Sequence, residues 1–277
     1  IFVRRLNSFG FASMDIVAVR VIFAAALMGA VLLIKDRSLF KIKLKDIWCF
    51  IGTGICSIVF FNFCYFRSIE LTSLSAAAIM LYTAPVMVTL MSAVLFKEKL
   101  TALKITACAA AFAGCALVTG IAGGGFSVSG TGLLTGIGSA FGYALYSIFS
   151  RFALNRGYSS FTITFYTFLT ASFGVLPLTD VPSLVTGMST ECLVTGILLA
   201  LLITVAPYLL YTAGLDRTET GKASVMASAE PVTASVIGAL MFDEKLNVSG
   251  FIGILLVICS VILLNICPKR FKNAVNS

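Results

Sequence analysis

The chain has 277 residues, 59% of them hydrophobic and only 12% charged, with a mean hydropathy of +1.03, against roughly 45–50% apolar and roughly 25% charged in a soluble domain. That composition is that of a polytopic membrane protein. The net charge of +8 does not indicate a nucleic-acid partner, because the basic residues fall between apolar runs and form no single stripe, and the absence of histidine removes His-based acid/base catalysis, His-ligated haem and the HExxH zinc site.

A spanning helix needs about 20 mostly apolar residues. Nine such segments follow in chain order: 15–34, 47–68, 72–95, 101–121, 131–151, 160–179, 192–215, 222–242 and 248–267. Between them lie short breaks such as Lys35-Asp36-Arg37, Gly123-Gly124-Gly125 and Asn155-Arg156-Gly157, which leave no room for a separate soluble domain. The triple glycine lacks the GK[ST] ending of a phosphate cradle and reads as a flexible joint. Of the eight cysteines, Cys49, Cys56, Cys64, Cys108, Cys115, Cys259 and Cys267 lie in or beside apolar segments without a CxxC pair. They read as free, buried thiols, and no metal or cofactor is expected.

The segment from Val59 to Thr119 realigns without a gap onto Val205 to Asn265, at an offset of 231 − 85 = 146 residues. Tyr65 meets Tyr211, Thr72 meets Thr218, Met80 meets Met226, Pro85-Val86 meets Pro231-Val232, and Phe96-x-Glu98-Lys99-Leu100 meets Phe242-x-Glu244-Lys245-Leu246. Such a duplication of apolar helices marks many secondary transporters. It divides the chain into a first repeat at 1–121, a Gly-rich linker at 122–130, a second repeat at 131–267 and a basic tail at 268–277. Carried back, the register sets Arg5 on Arg151 at the end of a helix, so Ile1 to Arg5 reads as the tail of an earlier helix. The expected parent has ten helices in two groups of five, of which nine are seen here; a genuine nine-helix protein is the alternative.

Five helices per copy is odd, so the copies enter the membrane from opposite sides. Placing Lys35, Arg37, Lys41, Lys43 and Lys45 in the cytoplasm also puts Lys97, Lys99, Lys104, Arg151, Arg156, Arg217, Lys222, Lys269, Arg270 and Lys272 there, and leaves outside only Arg4, Arg5, Arg67 and Lys245. The positive-inside rule therefore predicts a cytoplasmic C-terminus and an inverted repeat.

Two intramembrane charges stand out. Arg20 either faces protein or a watery cavity, or snorkels to the interface. Glu230 falls in Ala227-Ser228-Ala229-Glu230-Pro231 with no basic residue within one turn, so it should line a cavity, where it recognises a substrate amine or takes part in proton coupling. Pro85 and Pro231 should kink their helices, either as a purely structural feature or at the centre of a pathway. Asn62, Tyr82, Tyr143, Tyr146 and Tyr208 are candidate pocket-lining groups beside Glu230, with Tyr65, Tyr166 and Tyr211 as further aromatic candidates; interfacial anchoring is the other reading of the tyrosines. Gly132-x-x-x-Gly136 and Gly138-x-x-x-Gly142 offer faces for close helix contact. Glu98 and Glu244 are read as structural, bonding exposed backbone donors or adjacent lysines. Asn247-Val248-Ser249 is a weak glycosylation sequon.

Ala227-Ser228-Ala229-Glu230-Pro231-Val232-x-Ala234, Phe242-x-Glu244-Lys245-Leu246 and Gly250-x-x-Gly253 resemble the second EamA domain of the drug/metabolite transporter superfamily. Ala84-Pro85-Val86, Phe96-x-Glu98-Lys99-Leu100 and Gly114 are similar to the first. The resemblance implies an all-α inner-membrane carrier of two inverted five-helix repeats around a central cavity, exporting amino acids or other small metabolites or drugs by alternating access. Membrane lipid and a small-molecule substrate are the implied partners, with the oligomeric state open and a monomer as one reading. An importer or nucleotide-sugar-type exchanger of the same superfamily, and a non-transport scaffold or channel, are the alternatives; an enzyme is not expected.

Overall fold

Long apolar runs must satisfy their own backbone groups in lipid, and a helix does this within one segment. The computed structural model describes residues 5–7, 9–118, 129–233 and 248–266, and those residues are helical with short connections. Apart from short helical turns such as Val181–Thr186, the helices are α1 (Ser13–Lys35), α2 (Leu44–Leu71), α3 (Leu74–Phe96), α4 (Ala102–Val118), α5 (Gly130–Leu154), α6 (Ser160–Leu178), α7 (Thr190–Arg217), α8 (Thr220–Ala227) and α9 (Val248–Ile266). Among the described residues, six helices are long and apolar enough to cross a membrane, and α4 and α9 contain shorter apolar stretches. Of the expected segment 222–242, only residues up to 233 are described. The Gly123-Gly124-Gly125 joint, Glu244, Asn247, Cys267 and the basic tail lie outside the described residues.

Serines start several of these helices. Ser73, Ser129, Ser159 and Ser189 each accept a hydrogen bond at Oγ from a backbone N–H in the first turn, satisfying a donor that the helix itself leaves open. Lys97 ends α3 in the left-handed region, at φ 56°. The tight turn places Ser92 Oγ 3.2 Å from Glu98 Oε2.

The duplication is visible in helix defects as well as in residues. α2 contains a π-helical stretch at Gly52–Val59, and α7 contains one at Leu199–Val205; the offset of 146 carries Val59 onto Val205. α3 is interrupted at Tyr82 and Thr83, and the second repeat is interrupted at Ser228, the equivalent of Tyr82. At the position of the expected kink, Pro85 lies in the first turn of Ala84–Phe96. The reason is local: Pro85 has no N–H for the Leu81 carbonyl, while its fixed φ suits a helix start.

Equivalent helices of the two repeats pack against each other, α1 with α6 and α4 with α9. At the second crossing, a Cβ on Gly114 would fall 2.7 Å from the Gly253 carbonyl oxygen, so the backbones touch where no side chain fits. The glycines of α5 have the same effect. A Cβ on Gly142 would come within 3.0 Å of Phe61 backbone atoms, and Gly136 lies against Met80, which brings α5 onto α2 and α3. Large apolar side chains such as Ile34, Val94, Leu134 and Leu210 remain exposed on the outside of the bundle, as a lipid-facing surface requires. The described cysteines are unpaired by disulfides, and Cys56 and Cys259 are exposed. That corrects the expectation of uniformly buried thiols: both are on helix faces turned away from the packed interior.

Candidate functional site

The two helix breaks meet at one cavity of about 30 Å³, lined by Leu81, Tyr82, Ala84 and Pro85 from the first break and by Ser224, Ala227, Ser228 and Glu230 from the second, with Tyr143 of α5 closing the side. The space enclosed among these residues holds a water molecule or two. Glu230 is exposed at this wall, and no cation pairs with it among the described residues. It lies within electrostatic reach of Tyr65, Tyr82, Tyr143 and Tyr208. Gly142 holds Tyr143 in place by letting α5 approach Phe61, whose ring meets Tyr143 edge-on at 5.7 Å.

Tyr82, Tyr143 and Glu230 thus share the cavity. Asn62, Tyr146 and Tyr208 form an adjoining layer. The Tyr146 hydroxyl is 2.7 Å from Thr212 Oγ1, and its ring meets Tyr208 at 4.9 Å. Asn62 is buried, donating to the Ile58 carbonyl at 2.7 Å and accepting from Arg20 Nη2 at 3.2 Å. Tyr166 points elsewhere, its hydroxyl donating to the Phe40 carbonyl. Ser224 and Ser228 were not singled out from the sequence, although the two hydroxyls lie one helical turn apart just ahead of Glu230.

A second polar cluster joins the repeats at one end of the bundle. Glu98 leaves the end of α3 and caps α8: Thr220 N–H donates to Oε1 at 2.7 Å and Gly221 N–H to Oε2 at 3.3 Å. Its backbone donors lie in the other repeat, while Ser92 and Lys104 of its own repeat also reach the carboxylate, so the structural role holds but spans both repeats. Lys104 of α4, almost fully buried, pairs with Glu98 at 3.4 Å and with Glu219 at 2.5 Å. Arg151 of α5 completes the group, donating Nε–H to Thr220 Oγ1 at 2.9 Å and Nη2–H to the Leu215 and Thr218 carbonyls. Burial alone would raise the Glu98 pKa, but the hydrogen bonds from Thr220 and Gly221 and the Lys104 charge outweigh it and hold the carboxyl below its ordinary value. A carboxylate at a helix N-terminus is also favoured by the helix dipole.

The sequence model of the EamA-like transporter family matches residues 1–120 and again 130–266. Among curated proteins, the chain is 28% identical over 199 residues to an uncharacterized transporter of Archaeoglobus fulgidus, covering 72% of this chain and 70% of the relative. It is 21% identical over 266 residues to the uncharacterized inner membrane transporter YicL of Salmonella typhimurium, covering 95% and 88%. With the uncharacterized transporter YwfM of Bacillus subtilis it shares 25% identity over 143 residues, 52% of this chain but only about half, 48%, of the relative. A solved crystal structure superposes with a TM-score of 0.74 at 17% identity, over 93% of this chain and 90% of the other, a likeness of fold.

Proposed function

The chain belongs to the EamA-like transporter family, and on that premise we propose that it is a secondary transporter exporting small amino-acid-like or drug-like metabolites across the cell membrane by alternating access. The observation that carries this reading is the convergence of two repeat-equivalent helix breaks on one cavity holding Glu230. Broken helices at the interface of repeats free backbone carbonyls and place a hinge beside the solute. Counting α1 to α5 as five crossings reverses the direction of α6 relative to α1, so the two breaks enter the cavity from opposite sides.

The Glu98 cluster supports the same reading. It ties α3 and α4 of one repeat to α5 and α8 of the other at a single end of the bundle, which the charge distribution assigns to the cytoplasm. With that end tied, a solute would reach Glu230 from the far side; release of the ties would expose it to the near side. Glu230 receives a substrate amine or a coupling proton in this cycle. The C-terminus would be cytoplasmic, and one chain contains both halves of the cavity.

The test is counterflow in proteoliposomes containing the full chain, preloaded with a mixture of amino acids and small amines. Saturable uptake of label that is accelerated by unlabelled solute on the far side supports a carrier. Flux that follows the gradient without saturation, or no flux for any compound in the mixture, overturns it.

A further inference from the structure

Arg20 lies two turns into α1, and its charge is met by a neutral amide. Nη2 donates to Asn62 Oδ1 at 3.2 Å, whereas Nε is buried with no hydrogen-bond partner among the described residues. No carboxylate pairs with it there either. A guanidinium inside a helix bundle is costly unless an anion joins it, and its planar fork matches a carboxylate. Nη2 reaches inward to Asn62 of α2, a contact that a side chain extended to the membrane surface would not make.

The repeat shows that the fold itself does not require this charge. The offset of 146 places Tyr166 at the position of Arg20, just as it places Ala84 at the position of Glu230. Each charge was installed in one half only. Around Arg20, by contrast, the halves are matched: Asn62 and Tyr208 are repeat equivalents, each following its π-helical stretch by three residues (62 − 59 and 208 − 205). π-Bulges often accompany functional sites. Tyr208 lies within electrostatic reach of both Arg20 and Glu230, and its ring meets Tyr146 at 4.9 Å.

We propose that Arg20 and Asn62 form an anion-binding subsite in the layer adjoining the central cavity, receiving the carboxylate of a solute whose cationic end meets Glu230. This rests on the carrier reading of the cavity. A single guanidinium with one unpartnered nitrogen suits a monoanionic carboxylate better than a phosphate dianion, which is usually met by more than one donor group. Leu81, Tyr82, Pro85 and Tyr143 offer apolar and aromatic walls to the body of the solute.

Four probes test it on the full chain in lipid nanodiscs, by calorimetric binding: L-phenylalanine, phenethylamine, 3-phenylpropanoate and inorganic phosphate. The expected result is that L-phenylalanine binds about tenfold or more tighter than phenethylamine, because a polar group built to be met rejects the analogue that lacks its partner. Arg20→Gln should reduce that ratio to about twofold or less and abolish 3-phenylpropanoate binding. Asn62→Asp provides a second variant, in which the new carboxylate neutralises Arg20 in place at the loss of the hydrogen bond to the Ile58 carbonyl; it should abolish the same preference. Equal binding of L-phenylalanine and phenethylamine by the unaltered chain, including no binding of either, overturns the proposal. So does an unchanged ratio in both variants, or displacement of L-phenylalanine by phosphate that requires Arg20, which would assign the subsite to phosphate. Counterflow by the unaltered chain together with Arg20-independent binding would sink the subsite and leave the carrier standing, whereas no counterflow by the unaltered chain would sink the carrier.

Discussion

Thr220 donates its backbone N–H to the carboxylate of Glu98 across 2.7 Å, closing a contact between residues 122 apart in sequence. One side chain of the first repeat thereby caps a helix of the second. Lys104 and Arg151 gather around the same helix end, so the tie has charge as well as hydrogen bonds.

Replacing Glu98 by alanine removes the cap and leaves Lys104 with Glu219 alone. Loss of one partner from a buried pair typically costs about 3–5 kcal/mol. The expected outcome is a lower thermal midpoint in detergent and easier opening of that end, read as faster alkylation of a cysteine introduced at Thr220. Unchanged midpoint and labelling rate would show that the contact contributes no closure.

The same carboxylate sets a pH dependence. Its pKa in the folded protein lies below the ordinary 4.5, so its contribution is complete above pH 4.5 and is lost as pH falls through the lower folded value. The thermal midpoint should therefore stay level from neutral pH down to the ordinary carboxylate value and fall beyond it. In Glu98→Gln that acid limb should be shallower, a difference measurable by melting curves at a series of pH values.

Glu230 is exposed at the cavity and unpaired among the described residues, so Glu230→Gln should leave stability within about 0.5 kcal/mol. Transport should change instead. Counterflow of amine-bearing solutes should fall about tenfold or more, with its pH dependence flattened. Normal counterflow across the pH range would remove Glu230 from the mechanism.

Gly142 and Gly130 form a matched pair on α5. A Cβ at 142 would lie 3.0 Å from the Phe61 backbone, while one at 130 meets nothing within 4 Å. Gly142→Ala should cost about 1–3 kcal/mol by overpacking, and Gly130→Ala should be near neutral. Unfolding in mixed micelles with increasing denaturing detergent distinguishes the two; equal loss from both would mean that the α2–α5 approach is not tight.

Much of the architecture was legible because lipid imposes a simple rule. Each backbone polar group must be satisfied within its own helix, so apolar run length reports a spanning segment directly. Duplication was equally readable, since Pro85 and Pro231 or Tyr65 and Tyr211 keep a constant spacing. Glu230 and Tyr82 could be singled out because a carboxylate or phenol deep in an apolar run needs a reason. Ser224 and Ser228 escaped notice because hydroxyls on a helix can bond their own backbone and therefore look unremarkable.

By itself, then, the sequence determined a doubled, all-helical membrane fold and named the charges that such a fold must accommodate, because hydropathy and repeat spacing are one-dimensional properties. Only the tertiary structure decided which groups meet. Glu98 serves Thr220 rather than its own loop, Lys104 lies between two carboxylates instead of acting as a surface charge, and Arg20 turns to Asn62. Those pairings depend on how helices from different repeats cross, and crossing is governed by the close approach of backbones at glycines such as Gly114 and Gly142, which neither the spacing nor the polarity of the residues along the chain specifies.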